Sequence, residues 1–360
     1  MKPRVNNFSR CLLLALACLS LVWKGTNAQD PRTATQLSPS EIVQLTELVR
    51  SPSAGGNVLE RAFQVGTDLI KEGRWADASP LFIALSEKLP NDSTILYCAA
   101  LTSFNSGRVV EAEQFIDRAI ASIQALRKAE PNNTEVKHRA ADVLVLKAVV
   151  LANRKDDNRA LEAARSAVDL APDSFDAQFA LGRALFGNGD LAGAARAFQS
   201  AVSLRPVDLK ARFFLATTLE RSGDDAAALT AYRELITKEP RSAEGHLGLG
   251  VLLVKRGGDS QAEGISELER CIELDPNNYE ARITLGRVLV GKGRAADAIA
   301  HLRVAANLAP SNPEPHYQLS LAYRKLGRKE EAEAESAVVK KIHESRRGSA
   351  EPNPSPTPKL

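Results

Sequence analysis

The string Gly286-Arg287-Val288-Leu289-Val290-Gly291-Lys292-Gly293 sets two glycines and a lysine at the spacing of a phosphate-binding loop. Such a loop follows a strand and ends in Ser or Thr, whose hydroxyl binds Mg²⁺. Here Gly293 follows the lysine and the segment has helical periodicity, so nucleotide binding is not expected. The histidines at 138, 246, 301, 316 and 343 are scattered, with no paired His or Cys at metal-ligand spacing. His246 and His316 stand 70 residues apart at equivalent places, which fits packing on a helix face. No nucleophile elbow or zinc-protease motif occurs. The acid pairs Asp224-Asp225 and Glu330-Glu331 open helices, where the helix dipole favours negative charge. Asn91-Asp92-Ser93 and Asn132-Asn133-Thr134 match glycosylation sequons but sit in turn-forming stretches. The chain therefore reads as non-enzymatic, with no cofactor and no metal site.

The elements behind these residues recur. Residues 173–206 form a 34-residue stretch, DSFDAQFALGRALFGNGDLAGAARAFQSAVSLRP. Leu181, Gly182 and Leu185 share one helical face, Gly189 breaks the helix, and Ala194, Phe198 and Ala201 begin a second buried face that Pro206 ends. Two antiparallel helices result. Gly182 and Ala194 let their axes cross closely, and Phe198 fills the space between them. Pro172, Pro206 and Pro240 mark steps of 34; the next step, to Pro276, is 36 because of extra residues around Gly258–Gln261. Gly264 stands where Ala is expected and should weaken its helix by about 1 kcal/mol. Near 120–141 two successive helices are each longer by about seven residues, so a hairpin should reach roughly 10 Å beyond its neighbours.

At this length, with a Leu-Gly pair, a mid-unit Gly, then Ala, Phe, Ala and Pro, the unit resembles the tetratricopeptide repeat family. Eight units in phase cover about 290 residues. The resemblance implies an all-α fold, a right-handed α-solenoid superhelix of about eight helix pairs. The expected organisation is a signal peptide at 1–28, a polar segment with one short helix at 29–57, the solenoid at 58–346 and a Pro-rich tail at 347–360. It also implies that first helices line a concave groove, with positions 2, 5, 9 and 12 of each repeat facing it. Carried onto this sequence, that register puts Phe63, Tyr97, Leu101, Phe104, Val145 and Val149 in the N-terminal half. The C-terminal half receives Phe179, Arg183, Phe186, Phe213, Leu247, Val251, Ile283, Arg287, Tyr317 and Leu321. Aromatic and arginine side chains together are the usual make-up of an interface anchor. The expected partner-binding set is therefore Phe179, Arg183, Phe186, Phe213, Leu247, Ile283, Arg287 and Tyr317. The competing reading is that these aromatics seal the gap between repeats.

Of the 360 residues, 44% are apolar and 25% charged. The net charge of +3 owes much to Lys2, Arg4, Arg10 and Lys24; removing these four from 47 basic residues leaves 43 against 44 acidic ones. No basic excess remains to neutralise a phosphate backbone, so nucleic acid is not an expected partner. Residues 1–28 have the form of a secretory signal: basic residues, the apolar run Cys11–Trp23, then Thr26-Asn27-Ala28 before Gln29. Thirteen apolar residues fall short of the roughly 20 a membrane span needs. Cleavage near Ala28 competes with lipidation at Cys18. The mature chain would then be periplasmic or secreted and keep only Cys98 and Cys271, too far apart in the solenoid to bridge. Two functions stand open: a scaffold or adaptor binding a protein segment in its groove, or a structural component of a cell-envelope assembly, lipid-anchored in one version. The partner's identity and the oligomeric state are not encoded.

Overall fold

The computed structural model describes residues 37–348. The segment 1–28 expected to be a signal peptide, the residues up to 36 and the Pro-rich stretch from 349 lie outside the described residues. Seventeen helices and no strand occur among those described. The first, α1 (Pro39–Arg50), is capped by Ser38, whose side chain accepts from the Glu41 amide while Glu41 reaches back to the Ser38 amide. Eight helix pairs follow, in two compact units that divide after Val207.

The first unit adds α2 (Gly56–Lys71), α3 (Trp75–Lys88), α4 (Ser93–Asn105), α5 (Val109–Ala129), α6 (Thr134–Asn153), α7 (Asp157–Leu170), α8 (Phe175–Gly187) and α9 (Leu191–Leu204). Its core begins with Leu69, Leu81, Phe82, Leu85 and Leu96 and runs on to Leu146. Around α7 and α8 it becomes a lattice of small residues, including Ala163, Ala164, Ala167 and Ala177. Small residues at both sides of a crossing let helix axes approach closely.

The second unit holds α10 (Leu209–Ser222), α11 (Asp225–Lys238), α12 (Ala243–Arg256), α13 (Ser260–Leu274), α14 (Tyr279–Gly291), α15 (Ala295–Leu308), α16 (Pro313–Lys325) and α17 (Lys329–Gly348). The helix α17 carries two residues further than the boundary expected at 346. Leu285, Leu289, Leu302, Leu319 and Tyr323 form its main core. Gly264 proves to be a requirement rather than a weak point. A Cβ there would stand 2.9 Å from Val254 and 3.0 Å from the Gly250 carbonyl, so the glycine lets α13 lie on α12 backbone to backbone.

The punctuation is local. From the second pair on, first helices start on a side-chain cap: Asp92, Asn133 and Ser174 in the first unit, and Asp208, Ser242, Asn278 and Asn312 in the second. Each accepts from amides two or three residues on, which is worth about 1 kcal/mol per cap. Between the helices of a pair the chain turns through a left-handed residue, Gly189 at φ 80° being one example. The third pair uses Lys155 instead, at φ 61°.

Within each unit the first helices of successive pairs touch: α4 with α6 and α6 with α8, then α10 with α12, α12 with α14 and α14 with α16. No comparable contacts join second helices among the described residues of the pairs. The first helices are thus the inner row of each unit, which gives that row one continuous face. The extended α5 and α6, at 21 and 20 residues, carry a small core of their own: Ile123, Val136 and Ala140, closed by Leu126 and Leu170.

Candidate functional site

In the first unit the inner row is built from large side chains on α8. Ser174 caps the helix, and the rise of one turn sets Phe175 and Phe179 side by side, stacked at 5.7 Å and 10°. Phe179 also meets the edge of Phe198 at 5.6 Å. Further along come Arg183 and then Phe186, both half-buried like Phe179. Burial holds the Arg183 guanidinium below the ordinary arginine range: taking the charge from water disfavours it. These three residues, at i, i+4 and i+7, share one helix face.

The equivalent positions of earlier pairs are mostly filled from within. Phe63, Tyr97, Leu101 and Val145 are buried; Phe104 and Val149 are half-buried. There the sealing role is the better description: Phe63 meets Phe82 edge-on at 5.9 Å inside the core.

The second unit holds the rest of the expected set. Phe213 and Leu247 are half-buried and pack against the core clusters. Ile283 is 9% exposed and belongs to the core, so it offers little surface to a partner. Arg287, one turn on from it, is exposed, and Tyr317 is 50% exposed. Phe179, Arg183 and Phe186 are therefore brought together on one helix; the other five stand on four different helices.

Charged residues left out of the expected set also line the inner row of the first unit. Asp142 on α6 and Asp176 on α8 occupy the same place in successive pairs, 34 residues apart. Asp176 pairs with Arg205 at 3.7 Å, whose guanidinium lies 3.9 Å from the Phe175 ring centroid. Asp142 is 8% exposed, and its carboxyl is pushed up to about 7, chiefly by burial and then by the Asp176 charge. The signal was present in the sequence: two aspartates one repeat apart in the position-2 register.

The histidines at equivalent places are structural. His246 Nδ1 lies 2.5 Å from Glu267 and His316 Nδ1 2.6 Å from Glu335, each latching the first helix of a pair to the second. Cys98 and Cys271 are buried free thiols, and burial raises Cys271 to about 11, which keeps it protonated and inert. Gly286 and Gly291 lie within α14 rather than in a phosphate-binding loop. Among the described residues no group of three His, Cys, Asp or Glu stands together to hold a metal, and no helix is long and apolar enough to cross a membrane.

Comparison with solved structures finds the same architecture. The C-terminal part of a TPR repeat-containing protein from Cytophaga hutchinsonii is 17% identical, covering 71% of this chain and 99% of that one at a TM-score of 0.53. PilF of Pseudomonas aeruginosa is 14% identical over 59% of this chain and 99% of its own, at a TM-score of 0.50. YrrB, described as a TPR protein with an unusual peptide-binding site, is 18% identical over 52% and 95%, at 0.45. No curated protein matches the sequence. The tetratricopeptide repeat profile matches at residues 64–126, 115–175, 151–208, 179–237, 215–279, 262–313 and 283–342. With well over half its length covered by these overlapping matches, and helix pairs throughout, the chain belongs to the tetratricopeptide repeat family.

Proposed function

We propose that the protein is an exported, non-enzymatic scaffold that holds a segment of another protein against the inner row of its first helices. The fold supports the class, since tetratricopeptide repeats are typically modules for protein or peptide binding. One observation carries the finer reading: Phe179, Arg183 and Phe186 are all half-buried on one face of α8, whereas Phe63, Tyr97, Leu101 and Val145 are buried in earlier pairs. Aromatic rings that keep part of their area exposed beside a desolvated guanidinium supply both contact area and directional hydrogen bonding. The expected partner segment is apolar along one face and carries an acidic residue that Arg183 recognises.

The test pairs folding with capture. Phe186→Ala and Arg183→Glu are expected to leave the melting temperature nearly unchanged and to abolish cross-linking of a partner in the exporting cell. If Phe186→Ala melts the protein and Arg183→Glu leaves cross-linking intact, the aromatics are packing and the binding surface lies elsewhere.

A second reading, a component of a cell-envelope assembly, rests on the extended α5–α6 hairpin, whose tip from Lys128 to Asn132 is exposed. A stoichiometric complex from the envelope fraction supports it; a transient client supports the scaffold.

A further inference from the structure

We infer that Asp142, on the inner row where α6 meets α8, is the receptor for one cationic side chain, lysine or arginine, of the bound segment. This rests on the segment binding proposed above and adds a chemical requirement to it.

The argument starts from a missing partner. Asp142 is 92% buried by the complement of its 8% exposure, and among the described residues none donates a hydrogen bond to it. Its oxygens keep a sliver of solvent access, but a carboxylate so largely withdrawn from water and given no donors is disfavoured. The nearby basic groups His138 and Arg139 favour the ionised carboxyl less than burial and Asp176 oppose it, and their hydrogen bonds are made elsewhere. His138 Nδ1 meets the Thr134 carbonyl at 2.9 Å and its Nε2 meets Asp173 at 3.1 Å. Arg139 Nη2 donates to Ser93 at 2.5 Å and to Thr94 at 2.9 Å. Arg205 sits on Asp176 and on the Phe175 ring.

Asp176 makes the place more negative instead of relieving it. Its charge and the burial of Asp142 together hold Asp142 partly protonated near neutral pH. A cation brought within ~4 Å reverses both effects, since opposite charge favours the ionised carboxyl and hydrogen bonds to it favour it further. The neighbouring surface suits the rest of such a side chain. Phe179, half-buried, stands one turn along α8 from Asp176, apolar surface on which the methylenes of lysine or arginine can lie. A metal ion is the poorer occupant, because no third ligand stands beside the two carboxyls among the described residues.

Biotinylated nonapeptide libraries, identical in their randomised apolar-rich flanks, would carry Lys, Arg, norleucine or Glu at the centre and be presented to the full chain. The expected result is retention of the Lys- and Arg-centred libraries about tenfold or more above the norleucine-centred one. Asp142→Asn, which keeps the shape, should bring that ratio to near one while still retaining the norleucine library and melting no lower than the parent. A preference that survives in Asp142→Asn, or retention without any preference, overturns this inference alone. If the parent retains none of the libraries, segment binding itself fails and this inference with it.

Discussion

The ring of Phe198 rests on the bare backbone of Gly182: a Cβ on that glycine would fall 2.7 Å from the ring carbons. Glycine meets a large side chain at the same two places in three other pairs. Gly66 faces Phe82 at 2.8 Å, Gly250 faces Leu268 at 2.9 Å, and Gly286 faces Leu302. Where the second residue is small, the first is no longer glycine: Ala148 and Ala164 are both buried, and Ser320 and Ser336 share a hydrogen bond of 2.8 Å. A large second residue thus stands opposite Gly or Ala, as the buried Ala100 and Ile116 or Ala216 and Tyr232 also do, because close-packed helices leave little room for two large side chains there.

This relationship separates two glycines of one helix. Gly182→Ala should destabilise the protein by about 1–3 kcal/mol through overpacking. Gly187→Ala has only an Asp157 oxygen at 3.8 Å to meet, and should stabilise α8 by up to about 1 kcal/mol. Chemical denaturation of the two variants beside the parent reads both signs; equal shifts would mean that Phe198 moves aside.

The left-handed Lys155 predicts a stabilising change. A side chain at φ 61° costs roughly 1 kcal/mol relative to glycine, and Lys155 makes no side-chain bond that would be lost. Lys155→Gly should therefore raise the melting temperature, with the gain partly offset by the looser unfolded chain. A fall on differential scanning calorimetry would show that the lysine earns its place by other contacts.

Asp142 sets a pH dependence whose sign is the reverse of a salt-bridged carboxylate. Its folded value of about 7 lies above the model-peptide 3.8. Between these values the folded state holds a proton that the unfolded state has released, so stability falls as pH rises through that window and is level beyond it. The facing charges are Asp176 on α8 and His138 and Arg139 on α6. At pH 8 the penalty is at most roughly 4 kcal/mol, less what water entry relieves. Asp142→Asn should match the parent near pH 4 and exceed it near pH 8; parallel stability curves would contradict the burial of this carboxyl.

Ala194 is fully buried where α9 crosses its partner helix. Ala194→Asp should cost several kcal/mol by placing a carboxylate there without donors. Unchanged urea unfolding would mean that the helix faces have been assigned wrongly.

Export predicts a mature chain beginning at Gln29. Mass spectrometry of the protein from the exporting cell reads the terminus directly, and a diacylglycerol on Cys18 would replace cleavage near Ala28 by lipid anchoring.

By itself the sequence determined the repeat. Gly189, Ala194, Phe198 and Pro206 state where helices turn, cross and stop, and these are local requirements of backbone conformation and side-chain volume. Such requirements return every 34 residues, so the helix pairs and their inner faces could be read without coordinates. Exposure could not, because it depends on side chains contributed by the neighbouring pair. Ile283 and Arg287 share a helix face in the register, yet one is core and the other solvated. Asp142 and Asp176 are equivalent in sequence, but only Asp176 has an arginine laid against it. That difference arises where helices from separate repeats meet, and only the tertiary structure decided which carboxylate was left wanting a partner.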